Sequence, residues 1–199
     1  MQEFWQQRYS EAGLAYGDLP NRFLQSQLHQ LPRGGKVLVP GDGEGRNGVW
    51  LAQQGFDVTS VDYAQAGVDR SLALAKQRRV KINTVCADLL AWDWPIESFD
   101  AVVSIYLHFP SSVRKTIHEK IWRSLKPQGV LLMEAFNKNQ LGYPSGGPQT
   151  VDALFSAELL QQDFPLAKFV LLEESVVELN EGKYHVGPGA VVRAILRKP

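Results

Sequence analysis

Val37-Leu38-Val39-Pro40-Gly41-Asp42-Gly43-Glu44-Gly45-Arg46-Asn47-Gly48 is the stretch on which the fold turns. An apolar run, Lys36–Pro40, reads as a buried strand, and a helix opens near Gly45 and continues through Gly48–Gln54. Glycines at 41, 43 and 45 stand between them, where backbone must turn tightly and come close to a ligand. The spacing is G-x-G-x-G, and Arg46 occupies the place where a dinucleotide fingerprint wants its third glycine. Asp42 and Glu44 lie inside the loop, where carboxylates would repel a pyrophosphate and suit a cationic ligand better. Asp62, closing the next strand, is placed for a bidentate contact to ribose hydroxyls. The competing account is a helix-start loop with solvated acids.

Short apolar runs alternate with helical segments outward from this point. Asp57–Val61, Ile82–Cys86, Phe99–Ser104 and Val130–Ala135 read as strands; Val68–Lys76 and a stretch around Ser112–Ser124 read as helices. This βαβα order predicts a doubly wound α/β domain with a mostly parallel sheet. Lys126-Pro127-Gln128-Gly129 reads as the turn before the fifth strand. After a short helix at Phe155–Gln162, the β-rich runs Phe169–Leu179 and Ala190–Leu196 suggest an antiparallel pair finishing the sheet. Residues 137–150 hold three glycines and two prolines and follow the fifth strand, which makes them a candidate lid loop. One domain over 1–199 is expected, with 1–30 as an N-terminal cap segment.

Composition narrows the function classes. The 199 residues carry 21 Lys+Arg against 21 Asp+Glu, so there is no basic field to draw in nucleic acid or a membrane surface. The single cysteine, Cys86, cannot form an internal disulfide, and no Cys/His cluster has metal-binding spacing, so no metal is expected. Met1-Gln2-Glu3-Phe4-Trp5 lacks the basic-then-apolar run of a signal peptide, and no apolar stretch approaches a membrane span. The expectation is a cytoplasmic soluble protein with a small-molecule substrate.

Gly41–Gly45, Asp62 and Asp88-Leu89 resemble the successive cofactor motifs of class I S-adenosylmethionine-dependent methyltransferases. That resemblance runs from about Val37 to Leu196 and implies a seven-stranded Rossmann-like sheet with an antiparallel last strand. It implies S-adenosylmethionine as cofactor, with Gly41, Asp42, Gly43, Gly45, Arg46, Asn47, Asp62, Tyr63, Asp88, Leu89 and Ile105 around it. Asp62 would hold the ribose, Asp88-Leu89 would face the adenine edge, and Ile105-Tyr106-Leu107-His108 would line the transfer cleft. Trp5, Arg8-Tyr9, Tyr16-Gly17, Pro20-Asn21, Phe23-Leu24 and Gly45-Arg46-Asn47 are further similar to the tellurite-resistance methyltransferases and their thiopurine methyltransferase relatives. In that group an N-terminal segment covers the cofactor and the acceptors are soft sulfur, selenium or tellurium nucleophiles. This chain departs from it in having Val39 for a strand-end acid and Asp42 for a cysteine.

Methyl transfer needs alignment more than acid–base chemistry, because the sulfonium carries its own activation. For a neutral acceptor, His108 or Tyr106 could take a proton; the bland alternative for His108 is a strand-end histidine bonded to a carbonyl. The resemblance brings His185 and Arg193 toward the substrate as well. Otherwise His185 is a surface hairpin histidine and Arg193 pairs with a carboxylate such as Glu178. Trp92 and Trp94 read as core-edge seals and Cys86 as an inert buried thiol. An NAD-dependent oxidoreductase and a noncatalytic nucleoside-binding module are the rival classes.

Overall fold

The computed structural model describes residues 2–199; Met1, the first residue of the expected cap segment, lies outside the described residues. Strands β1 (Lys36–Pro40), β2 (Asp57–Asp62), β3 (Asn83–Cys86), β4 (Phe99–Ile105), β5 (Leu125–Phe136), β6 (Lys168–Glu181) and β7 (His185–Arg197) form one sheet. Its order is β3-β2-β1-β4-β5-β7-β6, parallel throughout except for β7, which runs antiparallel to both neighbours. The expected architecture therefore holds, with the reversed strand inserted between β5 and β6. Helices α1 (Gln2–Ser10) and α2 (Arg22–Ser26) precede the sheet; α3 (Arg46–Gln53), α4 (Gln65–Gln77), α5 (Ser111–Ser124) and α6 (Ala157–Asp163) connect its strands.

Alternation along β1 explains the two cores. Leu38 packs with Val102 against Ile117 and Ile121 of α5. Val37 and Val39, pointing the other way, pack with Ala101 and Val103 against Leu24 and Leu51. Burial on both faces is why these strands read as continuous apolar runs. Strand order reverses between β1 and β4, so the crevice at their carboxyl ends is the place for a ligand. Among the described residues no helix is long and apolar enough to cross a membrane.

Two boundaries differ from expectation. Lys126–Gly129 is a bulge inside β5, because pairing with β4 resumes past it: Phe99 faces Leu125 and Ala101 faces Val130. His185 is the first residue of β7 and is 5% exposed, so it is not a surface turn histidine. The turn is made at Gly182, whose φ of +69° suits glycine and where an added Cβ would strike the Tyr16 carbonyl carbon, so no side chain fits. The expected lid segment, 137–150, is anchored to β7. Gln140 Oε1 accepts from Ala190 N at 2.7 Å, and Ser145 Oγ donates to Pro188 O at 2.6 Å.

Candidate active site and cofactor cradle

Gly41, Gly43 and Gly45 all have positive φ, the requirement anticipated for this loop. Gly41 N donates to Val61 O at 2.7 Å, tying the loop to β2. The Asp62 carboxylate, 5% exposed, accepts from Gly43 N and Ala64 N, each at 2.9 Å. Burial pushes its pKa up, against the pull of those backbone N–H groups. A Cβ on Gly41 would come within 2.6 Å of Leu107 Cδ1, and one on Gly43 would strike the Tyr9 hydroxyl. The obstacle at Gly41 is the end of a flexible leucine side chain, which can give way to a ligand, whereas that at Gly43 is the buried ring of Tyr9. Tyr9 is held there by α1, which Gln2 Nε2 ties to Tyr63 O at 2.9 Å and Gln6 Oε1 ties to Ala66 N at 3.1 Å.

The two loop acids do not face a ligand. Asp42 turns under the loop, accepting from Ser60 Oγ at 3.0 Å and from Gly48 N, and burial pushes its pKa up to about 7 against those bonds. Glu44 pairs with Arg70 at 2.5 Å and accepts from Ala15 N at 2.7 Å. The expectation that these carboxylates favour a cationic ligand by charge is therefore corrected: they staple the loop to β2, α3, α4 and the N-terminal segment. Arg46 and Asn47 also turn away from the cradle. Arg46 pairs with Glu181 at 2.7 Å, and Asn47 Oδ1 accepts from Asn21 N at 2.9 Å. Gly45 is small because Ser71 of α4 packs against it.

Beyond β2 and β3, Tyr63 is half-buried with its hydroxyl pushed up to about 12 by burial and then by Asp62 and Asp88. Asp88 is exposed and bonds Leu90 N at 2.9 Å; Leu89 is buried and its carbonyl accepts from Trp94 Nε1 at 2.8 Å. Trp92 and Trp94 pack on the α5-side core, the sealing role expected of them. Cys86 is exposed, contrary to expectation, because β3 is an edge strand; burial and then Asp62 and Asp69 still raise its thiol pKa. Lys120 of α5 donates to the carbonyls of Leu90 (2.6 Å) and Trp92 (3.3 Å), bracing this turn. Lys120→Met should weaken S-adenosylhomocysteine binding by about threefold to tenfold, the loss of charge-assisted bonds that brace a partly exposed turn. Calorimetry giving an unchanged Kd would detach Lys120 from the site.

At the end of β4 the backbone is strained: Tyr106 has φ of +51°, uncommon for an aromatic residue and typical of functional sites. Ile105 is buried beside it. The Tyr106 hydroxyl donates to Glu134 Oε1 at 2.9 Å, and its ring stacks on Phe136. His108 is corrected as a proton acceptor. Its Nε2 already accepts from Phe136 N (3.2 Å), which leaves Nδ1 to donate to Ala153 O (2.9 Å). Burial lowers its pKa to about 4, so the carbonyl-bonded account is the right one.

A buried polar cluster lies beside Tyr106. Glu134, 1% exposed, accepts from Asn21 Nδ2 (2.6 Å), Tyr106 Oη (2.9 Å) and Arg193 Nε (2.5 Å). Arg193 thus pairs with Glu134, and with Glu173 at 3.7 Å, instead of Glu178. Glu181 accepts from Asn21 Nδ2 at 3.0 Å and from Arg46. Burial pushes the Glu181 carboxyl up, yet His185 and Arg46 outweigh it and bring the pKa to about 2. His185 Nδ1 stands 3.8 Å from Glu181 Oε2, beyond hydrogen-bond reach, so that attraction is coulombic; this nitrogen is buried with no hydrogen-bond partner among the described residues. Tyr16, Tyr106 and Phe136 surround the His185 ring at 4.5, 4.6 and 5.2 Å between centroids. Asn21, Glu134 and Glu181 were not among the expected site residues. Glu134 carried a signal: a lone charge inside the apolar run Val130–Phe136 must find partners.

Residues 37–129 match the family model described as a methyltransferase domain. The chain is 28% identical over 112 residues to ubiquinone biosynthesis O-methyltransferase from Rickettsia conorii, covering 56% of this chain and 38% of that one. It therefore spans less than half the length of that relative. It is 24% identical over 207 residues to thiopurine S-methyltransferase from Legionella pneumophila, covering 94% and 92% of the two chains. A solved structure concerned with converting a disulfide bond into a thioacetal group during echinomycin biosynthesis superposes with a TM-score of 0.82. It is 17% identical and covers all of this chain and 92% of its own. TehB from Haemophilus influenzae gives 0.70 at 19% identity, covering all of this chain and 67% of its own. The seven-stranded sheet with its glycine loop at the switch point is thus the fold of these solved structures, and residues 37–129 within it match a methyltransferase domain.

Proposed function

We propose that this protein transfers a methyl group from S-adenosylmethionine to a small protic acceptor, a thiol or its selenium counterpart, held against His185. The observation that carries this reading is the buried, unpartnered His185 Nδ1 among aromatic rings. Gly41, Gly43, Asp62, Tyr63 and Asp88 fit the cofactor: a cradle of positive-φ glycines stands beside a carboxylate already oriented by two N–H groups, each oxygen keeping a lone pair for a hydroxyl. When bound, S-adenosylmethionine supplies an electrophilic methyl on a cationic sulfur.

The acceptor side is charge-balanced. Glu134 and Glu181 are matched by Arg193 and Arg46, so the cluster has no spare cation for an oxyanion such as tellurite. His185, neutral at pH 7 because burial and Arg46 lower its pKa against Glu181 and Glu134, can accept the acceptor's proton at Nδ1. Tyr106, aligned by Glu134, and Phe136 wall that nitrogen from water and orient the acceptor. The sulfur-directed name of the Legionella relative, matched over nearly its whole length, supports the same acceptor class.

Incubation with labelled S-adenosylmethionine and a panel of thiols, selenite, tellurite, amines and carboxylates, read by mass spectrometry, tests this. Methylated thiol is expected. Turnover of amines alone would overturn the acceptor reading and leave methyl transfer intact. The pH profile carries a sign: His185 must be neutral to act, so kcat/KM should be flat above pH 6.5 and decline tenfold per unit below its lowered pKa. A profile that rises on acidification would remove His185 from this role.

A further inference from the structure

Asn21 is fully buried and every polar atom it has is engaged. Its Nδ2 reaches both Glu134 Oε1 at 2.6 Å and Glu181 Oε1 at 3.0 Å. Its Oδ1 caps α2 through Leu24 N at 2.9 Å, and its backbone N–H goes to Asn47 Oδ1 at 2.9 Å. One amide thus bridges two buried carboxylates from β5 and β6 and ties the N-terminal segment to both. A helix cap alone asks only for an oxygen, which serine or aspartate supplies equally well. What distinguishes asparagine from those two is the –NH₂, which can donate to two carboxylates at once.

We propose that Asn21 is a positioning residue of the acceptor site: its amide fixes the spacing of Glu134 and Glu181 and thereby sets the field at His185. This rests on the acceptor reading above. The groups facing His185 are Glu181 from β6, Glu134 from β5, Arg46 from α3, Tyr106 and His108 after β4, and Tyr16 from the N-terminal segment. Arg46 favours the neutral ring, the two carboxylates favour the charged one, and His108, itself neutral, adds no charge. Removing a donor that damps both carboxylates tips this balance toward imidazolium.

The test is the titration of His185 in the full chain, followed by ¹H–¹⁵N imidazole spectra assigned with His185→Gln, beside calorimetry with S-adenosylhomocysteine. Asn21→Ser keeps the cap and deletes the amide. It should raise the His185 midpoint by about one pH unit, while the S-adenosylhomocysteine Kd changes less than about threefold. Asn21→Asp, isosteric and capping, should raise it at least as far. In a Glu181→Gln background the effect of Asn21→Ser should fall by at least half, because one bridged carboxylate has lost its charge. Folded variants that bind S-adenosylhomocysteine and leave the midpoint unmoved overturn the proposal, as does failure of both to fold, which would make Asn21 purely structural. A wild-type chain that does not bind S-adenosylhomocysteine would instead sink the cofactor reading beneath it.

Discussion

Replacement of Asp62 by alanine should raise the Kd for S-adenosylhomocysteine about a hundredfold, measured by calorimetry. Asp62 has its two oxygens fixed by separate backbone N–H groups, Gly43 of the glycine loop and Ala64 after β2. A charge-assisted hydrogen bond is worth about 1.5–3 kcal/mol. Losing the ribose contacts and the restraint on Gly43 together should cost about 2.7 kcal/mol, a factor of about one hundred. Asp62→Asn retains one acceptor oxygen and should lose less. Alanine binding within threefold of wild type would take Asp62 out of the cofactor site.

Glu134→Ala should be the most damaging single change to stability. The carboxylate is buried and holds a guanidinium, an amide and a phenol. Deleting it leaves the partly buried Arg193 beside a hole, with Glu173 at 3.7 Å and the face of Phe23 as its remaining partners. Removing one member of a buried pair costs about 3–5 kcal/mol. At about 2–4 °C per kcal/mol for a domain of this size, the melting temperature should fall by roughly 10 °C. Glu134→Gln preserves shape and one acceptor and should fall less. A drop below about 2 °C in circular-dichroism melting would show that the cluster does not hold the strands together.

Much of the fold was readable because its causes are local. Apolar runs of strand length, glycines where φ must be positive and a helix after the loop are properties of neighbouring residues, and the topology followed from their alternation. The direction in which a polar side chain points is not local. Asp42 and Glu44 sit in the loop as a ligand-facing pair would, yet Ser60, Gly48, Arg70 and Ala15, three of them on other elements, draw them inward. His108 and His185 are equally solitary in sequence. One is quenched by Phe136 N and Ala153 O, and the other has a ring nitrogen buried among Tyr16, Tyr106 and Phe136 with no partner among the described residues. Asn21 looked like part of a family signature; that it joins two acids more than a hundred positions away is a fact of the tertiary structure.

The insertion of β7 between β5 and β6 has a consequence for synthesis on the ribosome. β6 leaves the exit tunnel first but has no place beside β5, whose outer edge must stay bare until the last strand arrives. A bare apolar edge is a template for pairing with other chains, and closing it only after both β6 and β7 have been made belongs to the slow, long-range class of folding events. Arg193 lies on β7, so a nascent chain forms the Arg193–Glu134 pair and loses its sticky edge in the same step.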